Sequence, residues 1–197
     1  ATQNVTIDTH NPSGSDVGTI TITDALTNIN ANGTALILVA SEDVIINNSI
    51  TSSGGALSIS INAQGNVKVQ NNADITTKGG FFKVAGSNDD GDSSFFADKA
   101  TETGSFLLQT GSDITTTGAD NAVGGVVTIK TKVRSNASLA AETTGDITIK
   151  GNIVTSGGTA TTGNAGKAGG AVTLHAGVSG TNGQVIIGSA GNITTTG

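Results

Sequence analysis

The chain has 197 residues and a formal net charge of −6, with 29 glycines, one proline, five phenylalanines and no cysteine, methionine, tryptophan or tyrosine. The lack of cysteine excludes a disulfide scaffold and thiolate metal sites. A single arginine, Arg134, among scattered lysines leaves no basic footprint for nucleic acid, and no apolar run approaches the roughly 20 residues that span a bilayer.

The length suits one domain over 1–197. Low charge and many β-branched residues oppose disorder, so the chain is expected to fold. Its apolar residues are mostly Val, Ile, Leu and Ala, which predicts a narrow, regular core. With neither an initiator Met nor a signal peptide at its start, the sequence reads as a processed product or a segment of something longer.

In chain order, residues 1–32 hold two short alternating runs, "NVTID" (Val5, Ile7) and "GTITITD" (Ile20, Ile22), which begin a less regular turn or two. From residue 33 onward a phrase recurs, an isoleucine followed by hydroxyls and glycine: "NNSITSSGG", "NADITTKGG", "GSDITTTG" and "GNITTTG". Its isoleucines are Ile50, Ile75, Ile114, Ile153 and Ile193, spaced 25, 39, 39 and 40 residues apart. A second landmark, Gly leading into an alternating run, recurs at Gly65, Gly104, Gly145 and Gly183, which precede their isoleucines by 10, 10, 8 and 10 residues. A third, "GALSISI", "GFFKVA", "GVVTIKT" and "GAVTLHA", starts at Gly55, Gly80, Gly125 and Gly170.

Each run alternates with period two, as Leu57, Ile59 and Ile61 do against Ser58, Ser60 and Asn62. That is the pattern of a strand buried on one side. Three such strands returning in the same order, joined by Gly/Asn/Asp/Ser corners, predict an all-β fold: a parallel β-helix, or β-solenoid, with three short strands per coil. Right-handed coiling is expected from the general preference of parallel connections. About five coils fill 33–197, at roughly 33–54, 55–79, 80–118, 125–157 and 170–197. Insertions are expected near 87–103, 132–144 and 159–168, the second with a short helix in "NASLAAET". Like residues should stack between coils, so the five isoleucines form an inward ladder and the hydroxyls after them an outward one. Gly54, Gly79, Gly118 and Gly197 would supply positive φ at the corner.

The candidates for chemistry are sparse. Asp89, Asp90 and Asp92 around Gly91 form the dense acidic cluster, where calcium is weighed against a solvated loop; the spacing lacks the distal bidentate Glu of a calcium loop, and the solvated reading is favoured. No cofactor is expected otherwise. Phe95 and Phe96, adjacent in the same insertion, cannot both enter a narrow core, so they either fold back onto a sheet face or contact another chain. Asp113 and Asp146 sit at strand starts on different faces, and His10 and His175 fall in different coils. Paired acids are therefore missing and the chain reads as a non-enzyme; the alternatives carried are a carbohydrate-active β-helix enzyme and a ligand- or ice-binding solenoid. For ice binding, Thr115/Thr117 and Thr194/Thr196 share an outward face, but Thr51/Ser53, Thr76/Lys78 and Val154/Ser156 break the array.

The cadence "GGxVxIxA…GxIxI…xITTxG" over about 33–197, carried by stretches such as "GGALSISINAQGNVKVQNNADITTKGG", resembles the passenger repeats of the filamentous haemagglutinin family, the large adhesins exported by two-partner secretion. The resemblance implies a right-handed parallel β-helix serving as an extracellular shaft on a bacterial surface. The last strand, "GNITTTG", carries no capping segment, and an open strand edge is expected to pair. The partners expected are adjoining segments of a longer chain or the "NVTID" edge of a second copy, head to tail, besides any cell-surface ligand.

Overall fold

A computed structural model describes residues 4–9, 18–84, 103–132, 144–161, 165–177 and 183–197. These residues form eighteen β-strands and no helix, and the strands come in triplets. The first coil is β1 (Val5–Asp8), β2 (Ile20–Ile22) and β3 (Leu26–Asn28). The second is β4 (Thr34–Ala40), β5 (Val44–Ile46) and β6 (Ile50–Ser52), and the third β7 (Leu57–Ala63), β8 (Asn66–Val69) and β9 (Ile75–Thr76). The fourth is β10 (Phe82–Val84), β11 (Ser105–Leu108) and β12 (Ile114–Thr115), and the fifth β13 (Val127–Lys130), β14 (Ile147–Ile149) and β15 (Asn152–Val154). The last is β16 (Val172–His175), β17 (Val185–Ile187) and β18 (Asn192–Thr194).

The first, second and third members of the triplets each build one six-stranded sheet, and neighbouring strands in a sheet are always one coil apart. Every pairing is parallel among the described residues. The chain is therefore a parallel β-helix with three strands per coil. The amino-terminal runs in 1–32 form a single coil that joins the same three sheets.

Parallel pairing in register converts the period-two pattern into columns. In the first sheet Val5, Leu36, Ile59, Phe82, Val127 and Val172 stack. In the second Ile20, Val44, Val67, Phe106, Ile147 and Val185 stack. In the third, the five isoleucines of the recurring phrase pair one above another, and Leu26 extends their column by one coil. These columns meet in a single aliphatic core whose middle coils are sealed from water. Each fully buried aliphatic side chain contributes about 1.5–3 kcal/mol. The fourth coil carries the largest core residues, Phe82 and Phe106. Their rings face each other edge to face across the core, with centroids 6.2 Å apart and an interplanar angle of 64°, the arrangement that aromatic quadrupoles favour.

Chain length varies at only two of the three corners. Between the second and third sheets the connection is short in every coil, from Val69 to Ile75, Leu108 to Ile114, Ile149 to Asn152 and Ile187 to Asn192. The expected insertions near 87–103 and 132–144 lie between the first and second sheets; apart from their edges, and with the helix suggested in "NASLAAET", they fall outside the described residues. The base of both is tied. Thr103 and Thr131 form a parallel bridge, Lys132 N–H donates to the Thr103 carbonyl at 2.8 Å, and Thr131 Oγ1 donates to the Gly145 carbonyl at 2.5 Å. The described residues of 159–168 connect the third sheet back to the first without forming a strand.

The corner glycines differ from expectation. Of Gly54, Gly79, Gly118 and Gly197, only Gly79 has a positive φ, 90°. Gly54 and Gly118 are glycine because the chain beside them leaves no room. A Cβ on Gly54 would lie 2.6 Å from the Asn30 carbonyl carbon, and one on Gly118 would lie 2.5 Å from the Val123 oxygen. Besides Gly79, the left-handed positions among the described residues are Asn71, Asn72, Lys78 and Asn121, with Gly111, Gly145 and Gly177. Asn tolerates that region better than other side chains.

Candidate functional site

The side chains that repeat from coil to coil define the surface and the closure of the solenoid. The hydroxyls after each isoleucine do not all form the expected outward ladder, because the period-two alternation turns every second one inward. Those one residue on line up outside the third sheet as Thr27, Thr51, Thr76, Thr115, Val154 and Thr194, a column interrupted by Val154. Those two residues on, Ser52, Thr77, Thr116 and Thr155, turn inward and are buried.

Each buried hydroxyl closes its coil onto the start of the next. Thr77 Oγ1 donates to the Gly80 carbonyl, Thr116 Oγ1 to that of Gly125 and Thr155 Oγ1 to that of Gly170, all at 2.5 Å. Ser52 Oγ makes the same bond to Gly55. In return, Gly80, Gly125 and Gly170 donate their N–H groups to the carbonyls of Thr77, Thr116 and Thr155 at 3.2, 2.7 and 2.6 Å. The clasp persists whether the hydroxyl and its glycine are 3, 9 or 15 residues apart, so intervening chain can grow without opening the coil. The sixth coil places Thr195 at the equivalent position, where it is exposed. Replacing Thr116 by Val keeps the shape and strands the buried Gly125 carbonyl; a loss of about 1–2 kcal/mol in urea unfolding is expected.

The acids at strand starts form a second repeated device. Ser49 Oγ accepts the N–H of Asp74, Asp74 Oδ1 accepts that of Asp113 at 3.0 Å, and Asp113 Oδ1 accepts that of Asn152 at 2.7 Å. Each side chain thus caps the backbone of its equivalent one coil later. At the start of the second sheet Asp43 Oδ1 accepts the Asn66 N–H and Asp146 Oδ1 that of Gln184 in the same way, while Ser105 Oγ accepts the N–H of Gly145, one residue before its equivalent Asp146. Asp43 also pairs with Lys68 at 2.8 Å. Asp113 and Asp146 therefore lie in different sheets with backbone donors on them. An open groove over the second sheet, lined by Lys68, Leu107, Thr148 and Lys150, has Asp146 as the one carboxylate among its described lining residues.

His175 is exposed on β16, in register with Lys130. Asp89, Asp90, Asp92, Phe95, Phe96, His10 and Arg134 lie outside the described residues, so neither the calcium candidate nor the paired phenylalanines are placed. Among the described residues no three His, Asp or Glu side chains gather where they could hold a metal ion.

The terminal coils are where the columns meet water. Val5, Ile7 and Leu26 in the first coil are 54%, 38% and 37% exposed, and Val185 and Ile187 in the last are 44% and 52% exposed. Around the first coil Val5, Ile7, Leu26, Ile29, Leu36 and Leu57 line an apolar mouth of about 400 Å³. No protein-family model, curated protein or solved structure matches the chain. Its geometry places it in the class of three-sheet parallel β-helices.

Proposed function

We propose that this chain is a structural shaft segment of a bacterial extracellular surface protein of the adhesin type, extended along its axis by end-to-end stacking of coils. The observation that carries the reading is the continuity of the three columns. The same aliphatic ladders run through all six coils in one register, and clasps and capping side chains recur between them. Such a structure resists bending because each coil is bonded to its neighbours by three sheets at once. The repeated side chains are used for stacking, which is the work of a shaft, and the variable chain length emerges at two corners, where a shaft can carry other segments without disturbing its axis. The cadence shared with filamentous haemagglutinin passengers supports the surface location.

Two measurements test this. Antibody raised against the purified chain should label the outside of intact producing cells. Deleting residues 80–124, one complete coil, joins Gly79 to Gly125 and leaves Thr77 a glycine to clasp; the particle should shorten by about 4.8 Å, one strand spacing, and still unfold cooperatively. Label confined to the cytoplasm, or cleavage of a polysaccharide by the purified chain, would overturn the proposal.

A further inference from the structure

We draw no further inference here: the strongest candidate, the surface patch of exposed Phe81, Val123 and Val126 on the connections that lead into β10 and β13, is an unpartnered apolar face, and nothing in the structure shows what covers it.

Discussion

Replacing Ile114 by Asp is expected to abolish the cooperative unfolding transition of the chain. Ile114 sits at zero exposure between Ile75 and Ile153, in the middle of the third column. Truncating a buried Ile costs about 2–5 kcal/mol, and a carboxylate left there without a partner adds several more. The sum reaches the whole stability of an ordinary domain, about 5–15 kcal/mol. The damage also falls where it does most harm. A solenoid needs at least about three stacked repeats to hold together, and a break at the fourth of six coils leaves two on its carboxy-terminal side. Far-UV circular dichroism against urea reads the result. Ile114→Val, which removes one methyl group, should lower stability by only about 0.5–1.5 kcal/mol. A soluble Asp variant with native spectrum and midpoint would mean that this column is not the core.

The second large effect is expected from Gly125→Ala, a change of one methyl group at a buried backbone crossing. Gly80, Gly125 and Gly170 occupy one column, each set against the coil before it. A Cβ on Gly125 would lie 2.6 Å from the Gly80 carbonyl carbon and 2.9 Å from the Gly79 oxygen. Those are backbone atoms held by the clasp, so the coils would have to separate. A loss of about 3 kcal/mol, the upper end of overpacking penalties, is expected in urea unfolding. Gly33→Ala is the matched control. Its nearest neighbour would be the Ala56 oxygen at 3.8 Å, and its φ lies outside the left-handed region, so the substitution should be neutral or stabilise by up to about 1 kcal/mol through the unfolded chain. Equal effects at the two glycines would show that close approach is not what holds position 125.

Much of this fold is legible in the amino-acid sequence, because the columns are written twice. Ile59 and Ile61 reveal a strand by alternation, and the return of Phe82 and Val84 in the same order reveals its stacking partner. The corner chemistry is harder. Glycine serves both positive φ and close approach, and the sequence does not distinguish Gly79 from Gly54 or Gly118. Meanwhile Asn71, Asn72, Lys78 and Asn121 take left-handed conformations without glycine. The clasping hydroxyls are hidden for a related reason. β9 and β12 are two residues long, so Thr77 and Thr116 fall just past the strand, and although the alternation carries on through them to the inside, a polar residue in a run of hydroxyls resembles any other exposed strand residue. Their regularity is the available signal: the position two beyond each isoleucine of the phrase is always Ser or Thr. Asp113 and Asp146 are legible as strand-start acids, but their role depends on the backbone one coil later, which only the register supplies.

The single-coil reach of every pairing also shapes how the chain can acquire its form. Asp43 bonds to Asn66, Asp74 to Asp113 and Ser156 to Thr196, separations of 23, 39 and 40 residues. No described strand waits for a partner more than one coil behind it. Delivered in sequence through a narrow opening, each new triplet would find its template already standing, and the free energy released as it settled would oppose backsliding. The architecture thus permits vectorial folding by a ratchet, with disorder confined at any moment to the coil being laid down.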